Sequence, residues 1–412
     1  MKKVIVLIFI LFFKIAFALS VEEAVEKGLK NFPDIAISNR EVDVQKFDID
    51  SARGDFMPKL LFSSSYSHIN PDDSPNMRTF NNELRLTYNL FSGFYSMNKL
   101  DISRFNLKVK ETALYSTRNL VAKNIKSAYY DALMYKKIYL FYDDLYKSAV
   151  KTYEFTKTKF EAGRALSIDV LKSLTDVKKY ESKKIEQKSN LLNSLTILSY
   201  YTEEVYDINT ELTSDFYELD LKERDYYLSK FIEKNPELAG YESKIKSSEA
   251  QLKQSKSSFM PTVDLFGAIS REDAKQGGME SDTNSSSFGV SLSWNLFNGF
   301  KDKNDYEKQK LIYYNTLDQK RKFVNDSKRD IAVYYNKLLS AKENLVYLKE
   351  LVKVAEQNFT LTSEAYELGR ANLIELLKAK DELTSAKIDL INLFNSITQS
   401  YLNLEYITGG NI

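Results

Sequence analysis

Cysteine is absent from the 412-residue chain, which removes disulfides, thiolate nucleophiles and cysteine metal sites at once. Histidine occurs once, at His68, so histidine metal cages and histidine-dependent triads are excluded as well. Glycine (13) and proline (6) are scarce for this length, and a chain so poor in breakers is built from long uninterrupted elements. A compact α/β enzyme needs a turn about every ten to fifteen residues, which this composition does not supply. There is no excess of charge of one sign. Fifty-eight basic residues stand against 57 acidic ones, a net charge of +1, which argues against nucleic acid as a partner. What is plentiful is charge of both signs (28% of residues), tyrosine (28) and phenylalanine (25).

No apolar run reaches the roughly 20 residues of a spanning helix. The longest, Val4 to Phe13, follows Lys2 and Lys3 and precedes Ala16-Phe17-Ala18. That is the layout of a secretory signal peptide over residues 1–18, with cleavage expected before Leu19. Losing Lys2, Lys3 and Lys14 leaves 55 basic residues against 57 acidic, a net charge of −2.

The chain is written twice. Phe56-Met57-Pro58 recurs as Phe259-Met260-Pro261, and Pro33 as Pro236, both at an offset of 203. Asn89-Leu90-Phe91-Ser92-Gly93-Phe94 recurs as Asn295-Leu296-Phe297-Asn298-Gly299-Phe300, and Phe160-Glu161-Ala162-Gly163-Arg164 as Tyr366-Glu367-Leu368-Gly369-Arg370, both at 206. A fixed period of this kind marks a repeated supersecondary unit. The expected organisation is a first repeat over 19–205, a linker over 206–225 and a second repeat over 226–412.

Each repeat carries two periodicities. Leu84, Leu86, Tyr88 and Leu90 alternate with Glu83, Arg85, Thr87 and Asn89; Phe288, Val290, Leu292, Trp294 and Leu296 alternate with Gly289, Ser291, Ser293 and Asn295. Period two with one apolar and one polar side predicts strands over about 80–91 and 286–297. A weaker alternation, Leu60, Phe62, Tyr66 and Val263, Leu265, Ile269, predicts strands over about 58–70 and 261–271. Polar loops are expected between the members of each pair, at 70–80 and 271–286. Strands of about ten residues are long enough to cross a bilayer at a tilt.

The rest reads as helix. Ile331, Tyr334, Leu338, Ala341, Leu345, Leu348, Val352, Ala355 and Phe359 recur in steps of three and four, matched by Ile125, Ala128, Ala132, Tyr135, Tyr139, Tyr142, Tyr146, Ala149 and Tyr153. Leu376, Ala379, Leu383, Ala386, Leu390, Leu393 and Ile397 do the same in the last helix. This is coiled-coil spacing, so the tyrosine stripe is a packing surface rather than a stacking platform for sugars or bases. Neither Gly nor Pro interrupts 94–162 or 300–368, and at 1.5 Å per residue each such helix is on the order of 100 Å long. Turns are expected near 163–168 and 369–372.

Four amphipathic strands cannot close a barrel, since single-chain membrane barrels begin at about 8 strands. An open sheet edge in lipid leaves backbone groups unsatisfied at several kcal/mol each. Strands of this kind in a membrane require several chains to share one barrel.

The order of signal peptide, proline-preceded strand pair ending in Asn-Leu-Phe-x-Gly-Phe, long helix, Gly-Arg turn and second helix, all duplicated, resembles the TolC family of outer-membrane channel proteins. The resemblance spans essentially the whole mature chain. It implies an α+β membrane protein in the cell outer membrane, projecting into the periplasm. Long coiled helices would form an α-helical barrel, and four strands per chain a homotrimeric 12-stranded transmembrane β-barrel. It further implies a lipid bilayer around that barrel, a periplasmic adaptor, an inner-membrane transporter, and an equatorial position for the segment 202–226. Leu84, Leu86, Tyr88, Leu90, Val290, Leu292, Trp294 and Leu296 would face the membrane, with Tyr88 and Trp294 in an interfacial girdle.

The resemblance also assigns roles at the turns. Gly163, Ala165, Leu166, Gly369 and Ala371 would receive the adaptor. Glu375 matches a position where family members carry acids around the periplasmic constriction. Lys378 stands where a second acid is often found, a departure from a strongly cation-selective double ring. Asp169 matches a position in the links that hold the entrance closed, with Arg164 and Arg370 as candidate partners. The alternative account is that Asp169 and Glu375 simply cap helix N-termini. His68 reads as a strand-end rim residue. No constellation calls for a metal, a cofactor or a catalytic site, and Ser is common in the strands without a nucleophile elbow. The leading functional expectation is a passive exit duct for small molecules. The alternatives are the exit channel of a type I protein-secretion system and a periplasmic coiled-coil scaffold without a channel.

Overall fold

The computed structural model describes residues 18–70, 72, 75–218 and 220–410. Apart from Ala18, the expected signal peptide lies outside the described residues, as does Pro71. The elements run β1 (Ala18–Leu19), α1 (Val21–Asn31), α2 (Pro33–Gly54), β2 (Lys59–Ile69), β3 (Met77–Phe91), α3 (Tyr95–Glu161), α4 (Ser167–Thr202), β4 (Glu211–Leu212) and α5 (Arg224–Lys234). There follow α6 (Pro236–Ser255), a short 3₁₀ turn, β5 (Thr262–Gln276), β6 (Met279–Ser293), α7 (Lys301–Glu367) and α8 (Leu373–Thr408). Helices α3 and α7 are each 67 residues long, and α4 and α8 each 36. The Pro-Gly-free stretches are thus single helices of about 100 Å. The chain divides into two compact units. One comprises residues up to Ala36, Thr117–Asn235 and Ser327 onward, and the other Ile37–Ser116 and Pro236–Asp326.

In the first unit the coiled-coil spacing of the sequence becomes the core. Ile125, Ala128, Tyr129, Tyr130 and Leu133 of α3 pack with Val21, Ala24, Phe32, Leu198 and Leu402. Further along α3, Tyr135 and Tyr139 close over Ala132, Leu191 and Leu195. Tyr142, Tyr146 and Tyr153 then pack with Val177 and Tyr180 of α4 and with Ile388 and Ile391 of α8. Heptad spacing places these rings on one seam, so the tyrosines serve as large knobs between helices. The chain enters this unit through a capping box. Ser20 Oγ accepts the Glu23 N–H at 3.2 Å, and the Glu23 carboxylate accepts the Ser20 N–H at 3.1 Å.

The segment 206–225, expected as a linker without periodicity, is tied to this core. Leu212, Tyr206, Phe216 and Tyr217 pack onto it, and β4 pairs in parallel with β1 through Ala18↔Glu211 and Leu19↔Leu212. Helix α5 starts at Arg224, so the last two residues of that expected linker are already helical.

A polar strip joins α3 to α8. Asn395 and Gln399 donate to the Asp131 carboxylate at 2.8 and 3.0 Å, and Ser127 Oγ donates to Gln399 Oε1 at 2.7 Å. Burial raises the Asp131 carboxyl above its ordinary value, and the bonds from Asn395 and Gln399 pull the other way. A carboxyl whose folded pKa is raised makes its full contribution to stability below the ordinary carboxylate value and loses it as pH rises through the folded value. Asp131→Asn is therefore expected to flatten the dependence of melting temperature on pH across the acidic range just above that ordinary value. A melting curve series parallel to wild type would contradict this.

Two helices carry a second apolar stripe. On α7, Tyr347, Leu351, Val354 and Leu361, with Leu368 just past its end, follow at steps of four, three, seven and seven residues and are all exposed. They lie about 200° around the helix from the packed Leu345, Val352, Phe359 and Tyr366. On α4, Leu171, Ile185 and Leu192 are likewise exposed, opposite the packed Ser173, Tyr180 and Ser194.

In the second unit β2, β3, β5 and β6 form one antiparallel sheet in that order. The polar loop expected at 271–286 is a correction. β5 continues to Gln276 and β6 begins at Met279, joined by Gly277-Gly278, both at positive φ. Alternation fades beyond Ile269 because both faces become polar there, whereas the backbone ladder needs no apolar side chains to continue. The two-glycine hairpin supplies the left-handed φ values such a tight turn requires. At the other end β6 stops at Ser293, since β5 begins at Thr262, directly opposite, and offers no partner beyond it.

Candidate functional site: the amphipathic sheet and the helix turns

The strand register gathers the alternating residues into rows. Leu60 of β2 lies opposite Leu86 of β3, which lies opposite Gly267 of β5, which lies opposite Phe288 of β6. The next row is Phe62, Leu84, Ile269 and Ser286, and on the other side comes Tyr88, Leu265 and Val290. Val263 and Leu292 extend the face toward the helices. Nearly every member is an exposed large apolar residue, Phe288 at 92%. A contiguous apolar face of this size on a sheet marks an interaction with membrane or partner.

The opposite face is polar. Arg85 pairs with Glu83 at 2.7 Å, Asn89 Nδ2 donates to Asp264 Oδ1 at 2.8 Å, and the Ser270 and Ser285 hydroxyls meet at 2.6 Å. Phe266 is an apolar residue on this side that period-two reading did not pick out, and the Arg85 guanidinium sits 5.8 Å from its ring centroid. The outer edges of β2 and β6 have no neighbouring strand among the described residues.

Of the residues expected on the apolar face, Leu84, Leu86, Tyr88, Val290 and Leu292 lie in it by register. Leu90 does not have its own partner. The register shifts between Asn89 and Phe91, leaving Phe91 opposite Val263. Trp294 and Leu296 lie past the end of β6, and the Trp294 indole N–H donates to the Phe259 carbonyl at 3.1 Å. A strand-end indole with its N–H satisfied and its ring exposed is suited to a membrane interface. Among the described residues no helix is long and apolar enough to cross a membrane.

The two helix turns are built alike. Gly163 and Gly369 stand at φ +68° and +74°, where any side chain would be strained. In each, the following arginine N–H reaches back five residues, Arg164 to the Lys159 carbonyl and Arg370 to the Ala365 carbonyl, both at 2.7 Å. The glycine N–H reaches back three, closing a Schellman motif. The acids then cap the next helix. Asn372 and Glu375 form a full capping box at 2.9 and 3.0 Å. Asp169 accepts the Leu166 N–H at 3.3 Å; Leu166 has no polar side chain to return the bond. Lys378 pairs with Glu382 one turn on, at 3.8 Å. Among the described residues neither Arg164 nor Arg370 forms an ion pair with these acids. Leu166, Leu368 and Ile168 are exposed around the turns, and Ala165 and Ala371 are half-buried.

The link between the turns comes instead from Tyr366, a residue of the repeated motif that sequence reasoning passed over. Its side chain is buried, and its hydroxyl meets Thr156 Oγ1 at 2.9 Å. Because Thr156 Oγ1 donates its hydrogen to the Thr152 carbonyl at 2.8 Å, Tyr366 is the donor to Thr156. Lys159 donates to the Tyr366 carbonyl at 3.1 Å and lies 4.5 Å from its ring centroid and 4.4 Å from that of Phe155. Helices α3 and α7 are thereby joined about two turns before Gly163 and one turn before Gly369.

The chain is similar to known proteins over most of its length. The family model described as Outer membrane efflux protein matches residues 24–202 and 227–410, most of the chain. The chain is 21% identical to Nodulation protein T of Rhizobium leguminosarum bv. trifolii over 93% of its own length and 84% of that protein's. It is 18% identical to Outer membrane protein TolC of Escherichia coli (strain K12), over 92% and 79%. Among solved structures, the Campylobacter jejuni CmeC outer membrane channel superposes with a TM-score of 0.80 at 17% identity, covering 95% of this chain and 85% of that one. That last likeness is one of fold.

Proposed function

Since the chain belongs to the outer membrane efflux protein family, we propose that it is the passive exit duct of a tripartite efflux system for small molecules. In this reading three copies share one transmembrane barrel, and energy comes from an inner-membrane transporter through a periplasmic adaptor. The observation that carries it is the sheet: four antiparallel strands, one apolar face, one polar face and two free outer edges. Such a sheet is stable in lipid only when other copies satisfy its edges. The second apolar stripes of α4 and α7 support the same conclusion. A helix with seams on opposite faces has a neighbour on each side, as in a ring, and the stripes left open are those a further copy would cover. The exposed Leu166, Ile168 and Leu368 around the Gly163 and Gly369 turns fit the adaptor's docking place. Detergent-extracted protein is expected to run as a trimer and to conduct ions in a planar bilayer; a non-conducting monomer would sink the reading. Deleting the gene separates cargo classes: heightened drug sensitivity fits efflux, whereas loss of a secreted protein fits a secretion exit.

Glu375 is further proposed to line the entrance while its backbone-facing oxygen caps α8. The two duties are separable, because glutamine serves in a capping box as well as glutamate does. Glu375→Gln is expected to keep the trimer's melting temperature and to shift its reversal potential in a salt gradient toward lower cation preference. An unchanged reversal potential would refute the role.

A further inference from the structure

A cavity of about 510 Å³ lies between α3, the first turn of α5, the last turns of α8 and the segment that leads from β4 into α5. All of its walls belong to the first unit, and its size is that of a small-molecule site. The uncharged residues that line it are all tyrosines: Tyr217, Tyr226, Tyr227 and Tyr401. The rings of Tyr217 and Tyr401 stand 6.2 Å apart, and those of Tyr226 and Tyr227 5.5 Å. An aromatic face carries partial negative charge, so a space walled by tyrosines attracts a cation.

The formal charges of the wall point the same way. Lys126 pairs with Glu405 at 2.6 Å, and Lys222 with Asp220 at 2.6 Å. Glu218 also lines the cavity and forms no ion pair among the described residues, so one carboxylate is in surplus. The Lys126–Glu405 pair is largely buried and fixed, with side chains 20% and 16% exposed. The Lys222–Asp220 pair is open to water, and a pair so exposed adds little. Asp220 can therefore exchange Lys222 for another ammonium at small cost. The Tyr401 hydroxyl is buried yet meets no hydrogen-bond partner among the described residues. Such a group is costly, and a bound N–H donor relieves it by bonding to the phenol oxygen.

We propose that this cavity binds a small organic ammonium ion, held by the tyrosine faces, by Glu218 and Asp220, and by a hydrogen bond from its N–H to the Tyr401 hydroxyl oxygen. A neutral molecule of the same shape leaves the surplus charge unanswered, and an anion meets Glu218 as a like charge. The site is independent of the channel reading above, because one chain supplies every group in it. The test is calorimetric titration of the full-length protein in uncharged detergent with cyclohexylammonium and with cyclohexanol, alike in shape and different in charge. Neutral pH keeps the amine protonated, and physiological ionic strength screens loose pairing with solvated acids. Wild type is expected to bind the ammonium about tenfold or more tightly than the alcohol. Glu218→Gln, at an exposed position that the fold does not need, is expected to weaken the ammonium about threefold or more and leave the alcohol unchanged. Tyr401→Phe keeps the ring and is expected to weaken the ammonium to a similar extent. Because that hydroxyl has no partner in the free chain, Tyr401→Phe is also expected to melt no lower than wild type, whereas a structural role for the hydroxyl would lower the midpoint. Equal affinity for the two probes, no binding of either, ammonium binding unaltered in both variants, or a lowered midpoint in Tyr401→Phe would overturn the site.

Discussion

Phe288→Arg is expected to abolish assembly of the protein in the membrane, while Ser287→Arg, its immediate neighbour, is tolerated. Phe288 lies in the middle row of the apolar face, in register with Gly267, Leu86 and Leu60, and is almost wholly exposed in the single chain. Ser287 lies opposite Ala268 on the polar face, the side that carries Arg85 and Glu83. An arginine at the bilayer midplane on the lipid side of a barrel costs about 2–4 kcal/mol. In a barrel shared by three copies that cost is incurred three times, roughly 6–12 kcal/mol, comparable to the whole stability of a domain. The same residue on the lumen side meets water and pays almost none of it. Membrane-fraction yield and the heat-resistant trimer band read the difference. Equal behaviour of the two variants would mean that the apolar face does not meet lipid, and a soluble scaffold would return as the better account.

That experiment depends on a register only partly readable from the chain. Alternation from Leu84 to Tyr88 and from Phe288 to Leu292 marks the apolar face because one side is greasy and the other wet. Beyond Ile269 the signal vanishes although the strands continue, since Arg271, Asp273 and Lys275 face one way and Ser270, Glu272 and Ala274 the other. Leu90 continues the alternation in sequence but sits where the ladder skips a residue, a backbone event with no side-chain signature. The long helices were legible from missing breakers, and the turns from Gly163 and Gly369. Lys380 and Asp176, paired and buried between α8 and α4, read as ordinary solvated charges, because nothing local distinguishes a lysine on a helix surface from one trapped between two helices. The acids at the turns were visible; the structure adds that both are occupied as caps, which period and spacing alone left open.

The part least visible in the sequence gives the second large effect. β1 and β4 are two-residue strands, too short for any periodicity, and one buried tyrosine bonds to the segments that carry both. Tyr129 is wholly buried; its hydroxyl donates to the Leu19 carbonyl at 2.8 Å and accepts the Ser214 N–H at 3.0 Å. Leu19 keeps other donors, the Thr213 N–H at 3.1 Å among them, whereas among the described residues the Ser214 N–H has only this acceptor. Tyr129→Phe therefore orphans one backbone donor and is expected to cost about 1–3 kcal/mol. Tyr129→Ala also empties the space between α1, α3 and the 213–214 segment, with an expected loss of about 3–5 kcal/mol. The two variants separate the hydrogen bond from the packing, and the thermal midpoint of purified protein in detergent reads both. Because α1 follows β1 directly, the loss should be accompanied by protease cleavage within 206–223 at temperatures where wild type resists. If Tyr129→Ala melts with wild type, the 206–223 segment is a surface appendage. If it melts early and is cut there, this one ring closes β1, the 206–223 segment and α3 into a single core.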